Sequence, residues 1–376
     1  MNFDFSEEQL SLKEEARRFL NSLAPLEGTR TLLAQRGQTR DERVWKGVVA
    51  QGWTGAVIPE EYGGLELSYL ELCVLAEELG YSLAAIPFAS SIYLFAELLI
   101  LAGSEEQKQK LLPRIADGSA VGTVAFSEGP GGLGIGSLST LFAGGELRGH
   151  KLPVFDATAA SHCIVLATSS DGPSLYLVEM QGEGVVIETV ETIDPSRECV
   201  ALTLRGASAS PLGEPGQGIV LLEQVLDRAA VLFAFEQVGA ADRCLEMATA
   251  YVNERYAFGR RIGSYQAIKH KLADVYVKNQ LARSSAYFGA WALNGNEAQL
   301  SVAASAARIA ACDALWQAST ENIQVHGGIG YTWESDCHLF FRRGKHLALV
   351  IGAAPHWKER LVAGLQNEEA IDGLPR

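Results

Sequence analysis

Polar and apolar positions divide the chain into three stretches with different periods. From the start to about residue 120 the apolar residues recur at helical spacing. Ser6 followed by Glu7, Glu8 and Gln9 predicts a capped helix N-terminus with acids in its first turn. Further helices are predicted over Arg43–Gln51, Ser68–Leu79, Ser90–Ala102 and Ser104–Asp117, with turns at Gly52-Trp53 and from Pro59 to Gly64. The period then changes. Short β-rich runs at Gly122–Phe126, His162–Ala167, Ser174–Val178, Val185–Val190 and Cys199–Leu204 are separated by Gly, Ser, Asp and Pro, the spacing of a small barrel or sandwich. Helical periodicity returns at Gly218 and runs to Leu365, with a frayed tail predicted from Gln366. The fold class read from this order is α+β multidomain: an N-terminal all-α domain (1–120), a middle β domain (121–217) and a C-terminal helical bundle (218–376).

A net charge of -14 argues against broad binding to a nucleic-acid backbone, while leaving room for a local basic pocket. The six cysteines form no C-x-x-C pair, and the histidines lack metal-ligand spacing, so reduced buried thiols and no metal are expected. Met1 to Glu8 carries acids and no basic segment, which predicts no secretory leader and a cytoplasmic protein. The most apolar stretch, Ile92 to Ala102, is too short to span a bilayer and contains Glu97, so no membrane insertion is expected.

Candidate chemistry concentrates where the long helical pattern breaks. Between the proline-free run Ala229–Tyr256 and the next, Tyr265–Leu293, lies Arg255-Tyr256-Ala257-Phe258-Gly259-Arg260-Arg261-Ile262-Gly263-Ser264-Tyr265-Gln266. Glycine lets a backbone approach a ligand, arginine offers a planar fork suited to a pyrophosphate, and a carboxamide can bond a base or sugar edge. A second glycine-rich element, Gln324-Val325-His326-Gly327-Gly328-Ile329-Gly330-Tyr331, follows downstream. Together, R-x-x-F-G-x-x-I-x-x-x-Q and Q-x-H-G-G-x-G-Y resemble the acyl-CoA dehydrogenase family. The early text G-W-T-G-x-x-x-P-E-E-Y-G-G and E-E-L-G resembles the same family's N-terminal domain.

That resemblance covers essentially the whole chain and implies a middle β-barrel, a C-terminal four-helix bundle and FAD as cofactor. It places Arg255, Phe258 and Gln266 on the adenine and pyrophosphate of FAD held mainly by a neighbouring subunit, and Gln324, Gly327 and Gly328 along the diphosphate. Phe126 and Ser127 would lie under the isoalloxazine. The family's T-E-P-x-A-G-S-D is altered here to Ser127-Glu128-Gly129-Pro130-Gly131-Gly132-Leu133-Gly134, and its K-x-W/F-I-T-N to Lys151-Leu152-Pro153-Val154-Phe155-Asp156. The implied partners are an acyl-CoA substrate, an electron-transfer flavoprotein or similar acceptor, and a homo- or hetero-tetramer with a paralogous subunit.

The family's reaction needs a carboxylate to take the α-proton of the thioester while the β-hydrogen leaves as hydride. Ile351 stands where most members carry that glutamate, and Ala229 where a second branch carries it. One small gap would bring Asp227 into the second position. Glu236, seven residues beyond Ala229 and on the same helix face, is a carboxylate inside an apolar run, which is expensive unless paired or used. It reads as a displaced base, a group selecting a polar acyl chain, or a structural ion-pair member with an arginine such as Arg243. The text from Gly328 to Arg343 resembles the branch acting on bulky and sterol-side-chain CoA esters, with heterotetramers in which one subunit lacks the base. His338, Arg342 and Arg343 read equally as helix-face charges. Three functions follow: an FAD-dependent acyl-CoA dehydrogenase for bulky or steroid-derived thioesters, a base-deficient partner completing a sister subunit's FAD site, or the same scaffold with other flavin chemistry.

Overall fold

The computed structural model describes residues 5–23, 25–34, 40–129, 138–295 and 297–372. In chain order the elements are α1 (Glu7–Ser22), α2 (Pro25–Ala34), α3 (Glu42–Ala50), α4 (Tyr69–Tyr81), a π-helix (Ala89–Ala96) continuing into α5 (Glu97–Ala102), and α6 (Glu105–Ala116). Strands β1 (Gly122–Ala125), β2 (Leu141–Ala143), β3 (Glu146–Phe155), β4 (His162–Ser169), β5 (Gly172–Glu179), β6 (Val185–Thr189) and β7 (Cys199–Leu212) follow. The rest is α7 (Gly218–Glu254), the short strands β8 (Tyr256–Ala257) and β9 (Arg260–Arg261), α8 (Gln266–Leu293), α9 (Glu297–His326), α10 (Cys337–Leu349) and α11 (Ala354–Asp372). A helical segment, a β-barrel and a helical segment thus succeed one another, and α11 continues past the predicted frayed end at Gln366.

The chain forms two compact units, Met1–Leu26 with Tyr69–Ala84 and Ala230–Arg376, and Glu27–Ser68 with Ala85–Ala229. In the second, β4 pairs with β5, β5 with β7, β7 with β3, β3 with β2, and β2 returns to β4, so the sheet closes on itself. Within this ring of five strands closure removes the open edges of a free sheet, while β1 and β6 each pair with one strand, β4 and β7 respectively. Strand β3, broken by Gly149 and Pro153, lacks clean alternation and was not legible as a strand. Its pairing with β7 slips between Lys151 and Val154, a bulge that turns Leu152 towards the segment after β1.

In the first unit α4 crosses α7 backbone to backbone. A Cβ at Gly80 would lie 1.9 Å from the Glu236 carbonyl oxygen, and one at Gly239 would lie 2.0 Å from that of Glu77. Glycine on both helices sets this approach. Beside the crossing, Glu77 is fully buried and ion-paired to Lys13 at 2.7 Å and Arg283 at 2.8 Å, while Arg283 also bonds Asp242. Burial raises the pKa of Glu77, but the charges of Arg283 and Lys13 outweigh it and hold the carboxyl below its usual range. Phe5, Phe235 and Tyr287 pack ring on ring nearby.

Gly239→Ala must push two backbones apart, since a carbonyl oxygen cannot rotate away. Overpacking of this kind costs about 1–3 kcal/mol or more. Thermal denaturation of this variant should give a clearly lower midpoint; an unchanged midpoint would contradict the crossing.

Candidate functional site

The helical break after α7 is a folded device. β8 and β9 form a hairpin whose pairs are Tyr256 with Arg261 and Ala257 with Arg260. Phe258 and Gly259 make its two-residue turn at φ 54° and 81°. Two positive φ values are what the twist of a tight hairpin requires, and glycine meets that demand easily. Phenylalanine does not, and its ring is 96% exposed. The amide of Ile262 donates to the Arg255 carbonyl at 2.8 Å, and Tyr265 Oη donates to the Ala257 carbonyl at 3.1 Å, closing the base of the hairpin. Arg260 lies over the Tyr265 ring at 3.8 Å. Arg255 and Gln266, the latter the first residue of α8, are exposed.

A small core brings the second motif to the same end. Ala248 and Val252 of α7 pack with Val325 of α9, and Ile262, Ile268 and Leu272 close around them. His326 stacks on Tyr251 with ring centroids 4.1 Å apart, and its Nδ1 donates to the Asn322 carbonyl at 2.7 Å. Lys271 of α8 pairs with Glu321 of α9 at 2.7 Å. Arg255, Phe258, Gln266, Gln324, Gly327 and Gly328 therefore share one exposed end of the helical unit.

The glycines there differ in cause. Gly330 is needed for packing, because a Cβ would meet the Ile323 carbonyl oxygen at 2.6 Å. Gly327 has φ 62°, the left-handed end of a helix. Gly328 has neither a positive φ nor any atom within 4 Å of an added Cβ. Nothing inside the chain asks for glycine at 328. An external group passing close to the backbone would, and a diphosphate beside arginine fits that need.

Phe126, Ser127 and Asp227 belong to the other unit. Phe126 and Ser127 are buried just past β1, and Ser127 Oγ donates to the Gly129 carbonyl at 3.3 Å. The Leu152 amide donates to the Ser127 carbonyl at 2.9 Å. Pro130 to Gly134, including Leu133 and Gly134, lie outside the described residues. Asp227 is buried, and its neighbour Arg228 pairs at 3.3 Å with Glu97, which is fully buried. Sequence reasoning used Glu97 only against a membrane span. A charge inside an apolar run was equally a signal for a buried partner.

Glu236 is buried in the middle of α7, about 28 Å along the helix axis from Arg255 at the helical rise per residue. It acts electrostatically on Arg308 of α9, whose side chain is fully buried. Burial lowers the Arg308 pKa, and Cys312 and Glu236 work against that. Arg308 donates to Gln237 Oε1 at 2.7 Å and to the Leu347 carbonyl at the end of α10. Arg243 donates to Tyr81 Oη at 3.1 Å and to Glu246 at 3.4 Å. Ile351 is fully buried, in the turn after α10. Of the α10 charges, Arg343 is not a helix-face charge: it is 1% exposed and donates to the Ala84 carbonyl at 3.1 Å. Arg342 and His338 both lie against Trp333.

Among the described residues, no group of His, Cys, Asp and Glu is placed to hold a metal, and no helix is long and apolar enough to cross a membrane. Five of the six cysteines are buried, and none is in a disulfide.

A helical segment, a closed barrel and a helical unit that gathers two glycine-rich motifs at one exposed end form the architecture of an acyl-CoA dehydrogenase-like flavoprotein. Comparison with known proteins agrees. Residues 6–119 match the acyl-CoA dehydrogenase N-terminal domain, and 216–354 match the C-terminal domain. The chain is 31% identical over 360 residues to acyl-CoA dehydrogenase IpdE2 of Mycolicibacterium smegmatis, covering 95% of this chain and 99% of that one. It is 33% identical to IpdE2 of Mycobacterium tuberculosis, over 83% of each chain. A solved structure described as the Tcur3481-Tcur3483 steroid ACAD G363A variant superposes with a TM-score of 0.87 at 31% identity, covering 97% of this chain and 99% of that one. The chain belongs to the acyl-CoA dehydrogenase family, flavoprotein oxidoreductases acting on the CH–CH group of acyl-CoA.

Phe258→Asn removes the exposed ring and replaces it with a residue that tolerates a left-handed backbone. The unliganded chain should gain about 0.5–1 kcal/mol, read as a raised denaturation midpoint, while flavin retention falls. Loss of stability together with unchanged flavin content would contradict a binding role for the ring.

Proposed function

We propose that the chain is a subunit of an FAD-dependent acyl-CoA dehydrogenase that introduces an α,β double bond into a bulky, steroid-type acyl-CoA. The observation that carries this reading is the exposed end built from Arg255, Phe258, Gln266, Gln324, Gly327 and Gly328, with Gly328 free of any internal need for glycine. Arg255 supplies a cation to the diphosphate, and the amides at Gly327 and Gly328 supply donors that require no side-chain ordering. The Phe258 ring covers the adenine, and Gln266 and Gln324 bond polar edges. That surface serves FAD seated mainly on a neighbouring subunit, so the working form is a tetramer. Phe126 and Ser127 meet the ring system of the chain's own FAD. Bound FAD supplies the two-electron acceptor for the β-hydrogen. Reduced flavin is reoxidised by an electron-transfer flavoprotein or similar carrier. A cytoplasmic setting accords with the reduced cysteines.

Removal of the α-proton falls to a carboxylate of this chain. Glu236 is our choice, with Asp227 second. Glu236 is buried within the apolar run of α7 and acts electrostatically on the buried Arg308, so it is a charged group placed in the core. The steroid-type substrate is argued from the similarity to the steroid-acting structure and to IpdE2.

A specific observation favours a second reading. Ile351 fills the usual base position with a fully buried, proton-inert side chain. In that reading the chain completes the FAD site of a paralogous sister subunit that carries the base.

Anaerobic addition of steroid-type CoA esters to the purified flavin-loaded chain tests both. If Glu236 is the base, wild type bleaches the visible flavin band. Glu236→Gln then slows bleaching by about 10²–10⁴-fold while keeping its flavin. Bleaching only after co-expression with the sister subunit, indifferent to Glu236→Gln, selects the partner role. Absence of flavin from both the lone chain and the co-expressed preparation would overturn both readings.

A further inference from the structure

We propose that the ion pair of half-buried Glu128 with fully buried Lys151 is a positioning element for the flavin-facing corner Phe126–Ser127, fixing where the ring system sits rather than stabilising the barrel. This rests on the reading of the chain as an FAD-binding subunit.

Lys151 lies on β3 between inward-facing Leu147 and Val154, and all three are fully buried. An apolar residue at 151 would serve a barrel core at least as well. Buried ion pairs are commonly neutral or unfavourable relative to well-packed hydrophobic groups, while breaking one by removing a single partner is strongly destabilising. What a buried ion pair adds is direction. Lys151 Nζ donates to Glu128 Oε1 at 2.7 Å and reaches the Phe126 carbonyl oxygen at 3.5 Å. The next residue along β3, Leu152, donates its amide to the Ser127 carbonyl at 2.9 Å, and Glu128 bridges Leu152 as a parallel neighbour. Residues 126, 127 and 128 are therefore each tied to β3 where that strand leaves β7.

The same carboxylate holds a second stretch of chain. Glu128 accepts from the Ser139 amide at 2.7 Å, from Ser139 Oγ at 2.6 Å and from the Thr140 amide at 3.0 Å. Thr140 is fully buried, and its packing requires Gly149 of β3, where a Cβ would come within 2.6 Å of Thr140 Cα. Burial opposes ionisation of Glu128, but the bonds from Lys151, Ser139 and Thr140 outweigh it and hold the carboxyl far below the usual carboxylate range. One ionised group thus fixes residues 126–128, residues 139–140 and strand β3 relative to one another. Partners behind metal ligands change affinity by about 10–100-fold when removed, and we take the same scale for a residue behind a flavin contact.

The test compares Lys151→Met, Glu128→Gln and the double variant. Each single change leaves one buried group without its charge partner and should lower the denaturation midpoint. The double variant removes both charges and should recover most of that loss. If the pair positions the flavin, the double variant still binds FAD at least about tenfold more weakly than wild type, with an altered visible band shape. A stable double variant with wild-type FAD affinity and spectrum would overturn the proposal while leaving the family function intact. Wild-type chain that takes up no FAD in any oligomer would overturn both. Should the double variant not fold, Ser139→Ala at an exposed position takes its place. It removes one bond to the carboxylate and should weaken FAD binding by about threefold to tenfold; unchanged affinity would overturn the proposal.

Discussion

A patch of apolar contact no larger than three buried residues holds the functional surface together. Ala248 and Val252 near the end of α7 meet Val325 near the end of α9, and Ile262, Ile268 and Leu272 seal the gap. That contact, with the His326–Tyr251 stack and the Lys271–Glu321 pair, brings the hairpin carrying Phe258 and the turn carrying Gly328 to one end. With it, a strained turn, three arginines and two glycines face outward from one end. The strain at Phe258 is informative because it is unnecessary for folding: Asn or Gly would close the same turn at lower energy. An exposed ring held in an unfavourable backbone state is best understood as a group waiting for a partner.

Buried charges in the helical unit share one logic. The Glu77 cluster and Arg308 each satisfy carboxylates, amides or carbonyls on more than one helix, so they lock relative positions. Directional bonds of this kind specify an arrangement more than they stabilise it. Against that background, Ile351 is informative. The turn after α10 buries Val350 and Ile351, and residues 350–353 carry no titratable side chain. In the proposed function, proton removal then falls to a carboxylate of α7 or to another chain.

Much of this was legible in the sequence, and the gaps have physical causes. The paired motifs around Arg255 and Gln324 were readable through their joint resemblance to the acyl-CoA dehydrogenase family, since a bend rich in glycine and arginine by itself is more often a surface turn. The helix–barrel–helix order was readable from the change of period at about residue 121 and back at Gly218. Strand β3 was not, since Gly149 and Pro153 interrupt its alternation, and its second half follows the bulge rather than the ladder. The partners of buried charges were also hidden. Lys151 and Glu128 are 23 residues apart in sequence, and Arg308 and Gln237 are 71 apart, so only the fold brings them together. Arg343, taken as a helix-face charge, is buried because its guanidinium caps a carbonyl at Ala84.

Hydrogen exchange of the assembled protein with and without FAD tests the central claim most directly. Bound dinucleotide should slow exchange of the amides at 255–262 and 326–330 together, because both motifs close on one ligand. Protection confined to the barrel, with those two stretches exchanging at the same rate in both states, would contradict the account.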